Sequence, residues 1–373
     1  MDNYFNPVKV ICGENSLMTI PSLLSNIVSE NKNVLIIGWN TDIFKMEAFE
    51  NINTKYNAYF KCFNESNPTV EQLFDLYLET KDINPEVVIA VGGGSVMDVG
   101  KSLCCFYNNK IDTVEEMRQM IVYKSFGRPS AKWIGVPTTS GTGSEVTCWA
   151  TIWDPSQNAK RSVESIDNYA YAAVVDTELT KNMPVKLAVS SALDAVAHAV
   201  ESYWANASNV VSRSHALGAI KKIMYHIDEL IDGNNDAHKY MAEGSMLAGL
   251  AFSNTKTTAC HSISYPLTMK YNIPHGIAVS MLIAPVLKIN FDYILDADVL
   301  LEALGVKSAD EFEKRITEIL KRAEIPATLE EWNVLYDDIK ELAKLGITKG
   351  RADNNPVNLT EEKIENILIG IYR

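Results

Sequence analysis

The chain is 373 residues long and carries 34 basic against 47 acidic side chains, a formal net charge of −13. That length accommodates about two domains, each able to bury a core. The acidic balance excludes nucleic acid and anionic membrane surfaces as partners, and an anionic small molecule would need counter-charges local to its site.

The start, MDNYFNPVKV, lacks the basic and apolar regions of a secretory signal. Four runs then read as strands: VLIIG (34–38), AYFKCF (58–63), VVIAVGGG (87–94) and WIGVPTT (133–139). Each is bounded by Gly, Pro or Asn, and helical patterns separate several of them, which predicts a parallel α/β sheet. After about Thr180 strand patterns fade. Apolar residues spaced three and four apart predict helices over 186–205, 209–231, 237–253, 277–294, 309–323 and 360–372. The expected fold class is therefore α/β plus all-α, with an α/β domain over 1–182 and a helical domain over 183–373. The most apolar stretch, 277–287, reads as too short to span a bilayer and contains a proline. Cys12, Cys62, Cys104, Cys105, Cys148 and Cys260 show no C-x-x-C spacing, which fits free thiols in a reducing cytoplasm.

Two segments suit a nucleotide. VVIAVGGGSVMDVGK (87–101) is a strand running through glycines into a helix, whose N-terminal N–H groups attract phosphate. PTTSGTGSEVT (137–147) follows the next strand and is rich in hydroxyls. Either loop alone is also an ordinary turn. Two at strand ends of one parallel sheet favour a dinucleotide.

A third pattern suits a metal. In SSALDAVAHAVESYW (190–204), Asp194 and His198 are four apart and project from one helix face, with Ser190 or Ser191 as candidate caps. His261 lies on a predicted helix over 257–268, and His275 sits between Pro274 and Gly276. Taken singly, each histidine reads better as an ordinary core or surface residue than as a ligand. Together, one carboxylate and three imidazoles suffice to hold Fe²⁺ or Zn²⁺ and leave a position for substrate oxygen. His215, His226 and His238 are expected on exposed helical faces.

GGGSVMDVGK, PTTSGTGSEVT, DAVAHAVE and the pair His261/His275 ending in PHG, in this order, resemble the iron-containing (group III) alcohol dehydrogenases over essentially the whole chain. The resemblance implies a Rossmann-like dinucleotide-binding domain, a helical metal-binding domain of dehydroquinate-synthase-like architecture, and a cleft between them. It implies Asp194, His198, His261 and His275 as metal ligands. It implies Asn67, Gly93, Gly94, Ser95, Asp98, Thr138, Thr139, Thr142, Thr147, Lys160 and Leu179 at an NAD(P)H site, and assembly into a homodimer or larger oligomer. TIWD (151–154), HSISYPLTMKYNIPHG and RADNNPVNLT further resemble the phosphonoacetaldehyde reductases of that family, which form 2-hydroxyethylphosphonate.

Three departures from the family pattern bear on function. Tyr265 stands where many members have a histidine, so the proton route would run through Tyr265, the cofactor ribose and Lys160. Trp39 and Asn40 stand where NAD-preferring members carry Asp, so NADPH should be accepted. Arg351 stands where many members have a small residue near the substrate; it, with Arg161 and Lys160 of NAKRS, is a candidate for binding a phosphonate. Trp149 is expected to wall the nicotinamide end. The reaction implied is metal-assisted hydride transfer to a small aldehyde. The competing expectations are a general alcohol or lactaldehyde-type dehydrogenase and, more distantly, a dehydroquinate-synthase-like lyase.

Overall fold

VLIIG and VVIAVG are apolar at every position, a pattern that fits strands covered on both faces rather than one. The computed structural model, which describes residues 3–50, 52–157, 159–347 and 350–373, places them so. Strands β1 (Lys9–Cys12), β2 (Asn33–Gly38), β3 (Asn57–Cys62), β4 (Val87–Gly92), β5 (Lys132–Pro137) and β8 (Ala172–Val175) form a parallel sheet of order β1-β8-β5-β4-β2-β3. β6 (Trp149–Asp154) and β7 (Ala159–Glu164) make a separate antiparallel hairpin. Strand residues alternate between two cores. Leu35, Ile37, Val88 and Ala90 pack with α3 (Val70–Thr80), α4 (Gly94–Phe106) and α5 (Val114–Tyr123). Val34, Ile36, Ile89 and Val91 pack with α1 (Ile20–Ile27) and α2 (Glu47–Glu50). The chain goes outward from β2 to β3 and then returns across β2 to β4. The carboxyl ends of β2 and β4 thus form the reversal point at which open α/β sheets gather ligands.

The remaining helices are α6 (Val185–Trp204), α7 (Val210–Ile231), α8 (Ala237–Thr255), α9 (Ala259–Tyr271), α10 (His275–Asn290), α11 (Ala297–Leu304), α12 (Ala309–Arg322), α13 (Ile339–Leu345) and α14 (Glu361–Gly370). They share one core, with α6 packed against α7, α8 and α10. Helix α6 starts at Val185, so Ser190 and Ser191 lie inside it and do not cap it. By length and composition alone, His275–Tyr293 could cross a membrane. Most of its apolar side chains are instead buried among the other helices, and its proline, Pro285, sits within α10.

The chain divides into two compact units that are not each continuous in sequence. The α/β unit is Asn6–Thr139 with Ser144–Leu179. The helical unit is Thr180–Arg373 together with the N-terminal residues through Phe5 and the short segment Ser140–Gly143.

Candidate functional site

In the helical unit, α6 presents Asp194, His198 and Glu201 at i, i+4 and i+7, on one face. Helix α9 brings His261, and Tyr265 one turn further on. His275 is the first residue of α10, and its position depends on Gly276: a Cβ there would lie 2.2 Å from the Ser190 carbonyl oxygen of α6. Asp194 Oδ1 ends 3.6 Å from His261 Nε2 and 4.0 Å from His275 Nε2. One ligand atom from each of Asp194, His261 and His275 lies within 4.8 Å of the others.

His198 is not part of that triad. Its ring stacks between Phe252 (centroids 4.2 Å apart) and His261 (4.5 Å). Its Nδ1 donates to the Gly141 carbonyl at 3.2 Å, which leaves Nε2 as a lone-pair donor. Gly141 in turn lies too close to Ser191 for a side chain, since a Cβ would meet the Ser191 carbonyl oxygen at 2.9 Å.

Two atoms of the triad, Asp194 Oδ1 and His261 Nε2, are buried and have no hydrogen-bond partner among the described residues. Buried polar atoms are normally paired. A carboxylate oxygen and an imidazole nitrogen left open toward each other are the donor set of a divalent cation. Burial pushes the Asp194 carboxyl up, but His198, His261 and His275 outweigh it and hold the group below the usual carboxylate range. Burial brings His198 down to about 4 despite Asp194, so at neutral pH it has the uncharged form a ligand needs.

Sequence reasoning missed Glu201. It is fully buried, and its carboxylate accepts from the Thr258 hydroxyl (2.9 Å), the Cys260 amide (2.5 Å) and the His261 ring Nδ1. Burial raises its pKa, but His261 overrides this and keeps it ionised. Its signal was present as the last residue of DAVAHAVE, three positions beyond His198.

Arg351 is half-buried in the same unit, and its charge interacts with Glu201 and Tyr265. Burial lowers its pKa against those two influences. Among the described residues, its guanidinium has no hydrogen bond or ion pair. Tyr265 is half-buried. His238, expected on an exposed face, is buried because it lies on the core-facing side of α8. His226 stacks on Tyr240, with centroids 3.6 Å apart.

In the α/β unit, the glycine turn and the threonine loop leave adjacent strands at one edge: Gly92 and Pro137 are in register, and the Thr138 amide donates to the Gly92 carbonyl at 3.0 Å. Gly93 caps α4 without any side-chain cap, so the first amides of that helix remain available to an anion. A Cβ on Gly93 would touch Thr139 at 3.4 Å. Asn67, in the left-handed conformation (φ 54°), donates its amide to Ser95 Oγ at 3.3 Å. Asn67, Gly93, Gly94, Ser95, Thr138 and Thr139 are thus brought together. Thr142 belongs to the segment that packs with the helical unit.

Other predicted cofactor residues are engaged within the α/β unit. Asp98 accepts from Ser144 Oγ (2.8 Å) and the Thr151 amide (2.9 Å); burial raises its pKa, with Lys101 opposing. Thr147 Oγ1 faces Lys101 at 3.2 Å. Lys101, a residue not singled out from the sequence, is fully buried and also donates to the carbonyls of Ser144 (2.7 Å), Thr147 (3.2 Å) and Trp149 (2.9 Å). Burial lowers it to about 8. Trp149 opens β6. On β7, Lys160 lies 5.6 Å over the Trp153 ring, and Arg161 Nε bonds Asp154 at 3.3 Å. Leu179 packs against the sheet core. At the end of β2, Trp39 is exposed, and the Asn40 side chain accepts from the amides of Asp42 and Ile43. No residue of fixed negative charge occupies those two positions.

Comparison with known proteins is consistent with this arrangement. Residues 7–177 match the sequence model of "Iron-containing alcohol dehydrogenase", and residues 188–372 match "Fe-containing alcohol dehydrogenase family, C-terminal". The chain belongs to the iron-containing alcohol dehydrogenase family. It is 29% identical over 319 residues to an NADPH-dependent butanol dehydrogenase from Clostridium saccharobutylicum, covering 83% of this chain and 82% of that one. It is 27% identical over 386 residues to a sulfoacetaldehyde reductase from Bilophila wadsworthia, covering 97% and 96%. The crystal structure of sulfoacetaldehyde reductase from Bifidobacterium kashiwanohense in complex with NAD+ shares the fold, with a TM-score of 0.87 at 24% identity over 100% of this chain and 98% of that one. The enzyme is an oxidoreductase, as its family is.

Proposed function

We propose that the chain reduces a short aldehyde bearing an anionic group, with phosphonoacetaldehyde the substrate its residues fit best, using NAD(P)H and one divalent metal, Fe²⁺ or Zn²⁺. Asp194, His198, His261 and His275 would hold the metal, which fits the orphaned Asp194 Oδ1 and His261 Nε2. The amides after Gly93, with Ser95, Thr138 and Thr139, would hold the dinucleotide phosphates. When bound, the metal supplies Lewis-acid polarisation of a carbonyl and the reduced nicotinamide supplies hydride. Neither Trp39 nor Asn40 puts a fixed negative charge where it would repel a 2′-phosphate, which supports use of NADPH. Six free cysteines fit a cytoplasmic enzyme.

Arg351 carries the substrate reading. A half-buried guanidinium without a bonded partner among the described residues offers paired hydrogen bonds to a phosphonate. Sulfoacetaldehyde, with a sulfonate in the equivalent place, is the natural comparison. The test is steady-state kinetics of Arg351→Ala with phosphonoacetaldehyde, sulfoacetaldehyde and propionaldehyde, each with both cofactors. The expected result is a fall of about 10²-fold in kcat/KM for phosphonoacetaldehyde, carried mainly by KM, with propionaldehyde changed less than about threefold. Equal losses on the charged and neutral aldehydes would show that Arg351 serves no anion.

A further inference from the structure

We infer that Glu201 is a positioning residue of the metal centre: it fixes the tautomer and orientation of His261, so that Nε2 and not Nδ1 faces the metal. The inference rests on the proposed metal site and adds a residue outside its ligand set. Glu201 lies on the same face of α6 as Asp194 and His198 and is fully buried. One of its oxygens is fixed by the first turn of α9, accepting from the Cys260 amide (2.5 Å), the His261 amide (3.4 Å) and the Thr258 hydroxyl (2.9 Å). Those amides are among the donors that the start of a helix leaves unpaired, so the carboxylate caps α9 from a neighbouring helix. Thr258 Oγ1 in turn accepts from Trp204 Nε1 at 2.8 Å, which holds this end of the network in place.

Among the described residues, the other Glu201 oxygen has one partner, the ring Nδ1 of His261. A carboxylate only accepts, so Nδ1 carries the proton, and in the neutral ring that a metal requires Nε2 carries the lone pair. Nε2 is the atom left without a partner, 3.6 Å from Asp194 Oδ1. A ligating imidazole whose second nitrogen donates to a carboxylate is oriented by it and made a stronger donor. Glutamine cannot reproduce this. With its amide oxygen toward the Cys260 amide, its NH₂ faces Nδ1 and favours the wrong tautomer. Turned the other way, its NH₂ faces the Cys260 N–H.

The experiment measures Zn²⁺ affinity of the full-length protein by chelator competition for wild type, Glu201→Gln, His261→Asn and the double variant. Glu201→Gln should weaken Zn²⁺ binding about 10–100-fold. His261→Asn should weaken it more, and adding Glu201→Gln to that variant should cost nothing further. An equal loss in both backgrounds would mean that Glu201 acts only on the fold, and no loss in either would equally overturn the inference. If His261→Asn itself leaves affinity unchanged, the metal reading fails instead. Should Glu201→Gln not fold, long-range ¹H–¹⁵N spectra of wild type decide: a protonated Nδ1 on Zn²⁺-loaded His261 is expected, and a protonated Nε2 would refute the assignment.

Discussion

In the α/β unit, the Lys101 ammonium is fully buried and surrounded by four oxygens from Ser144, Thr147 and Trp149. In the helical unit, the Asp194 carboxylate is nearly as buried, yet among the described residues Oδ1 has no hydrogen bond and faces an equally orphaned His261 nitrogen. Both units accept the cost of desolvating a charge. One recovers it within the protein, by tying the hydroxyl-rich segment after Gly143 to the helix that follows the glycine turn. The other leaves it to be recovered by something that arrives later. A satisfied buried charge serves as scaffolding; an unsatisfied one is the mark expected of a binding site.

That contrast breaks most sharply at Asp194. Asp194→Ala removes the only anionic member of the proposed ligand set and should lower Zn²⁺ affinity by more than about 100-fold, beyond what loss of an outer-sphere residue costs. The apo protein should melt within a few degrees of wild type, while the extra stability conferred by Zn²⁺ disappears. Paired melting curves with and without Zn²⁺ read both quantities. An apo protein that unfolds outright would place Asp194 with the scaffolding residues.

Lys101→Met should behave in the opposite way. It strips the cation from three carbonyls and a hydroxyl in a closed interior, a loss of about 3 kcal/mol. Chemical denaturation should show that loss, while Zn²⁺ affinity of the folded protein stays within about threefold of wild type. A large change in metal affinity without loss of stability would erase the distinction between the two centres.

The sequence revealed more of the open centre than of the closed one, for a physical reason. Asp194 and His198 declare themselves by four-residue spacing on an apolar helix, and His261 and His275 stand out because histidine is rare in this chain. Glu201 and Lys101 do not, since a glutamate or lysine on a helix ordinarily reads as a solvated residue. Only the packing of α9 against Glu201, and of the 144–149 segment against Lys101, makes them interior. The strands followed the same logic. β2 from Val34 onward and β4 are apolar throughout and were legible, whereas β1 and β8 are four residues long and exist as strands because β8 pairs with both β1 and β5. The assignment of Ser140–Gly143 to the helical unit depends on contacts no linear pattern encodes, among them Gly141 against Ser191.

Glu145 tests the comparison within the α/β unit itself. It is buried, and among the described residues its Oε2 has no partner, so it is an unsatisfied group near a satisfied one. Burial raises its pKa from 4.5 to about 7, against the pull of Lys101. The native state therefore holds this proton more tightly than the unfolded chain does. The stability contributed by the neutral carboxyl is present in full below about pH 4.5 and is lost as pH rises through about 7. At about 1.4 kcal/mol per pKa unit, the loss is bounded at roughly 3 kcal/mol. Glu145→Gln mimics the neutral form at every pH. Its stability relative to wild type should rise by about 2 kcal/mol between pH 5 and pH 8, read by urea unfolding of the apo protein at each pH. If the two stability curves run parallel across that window, Glu145 is already ionised in the fold, and its open oxygen is satisfied by water instead of by a proton.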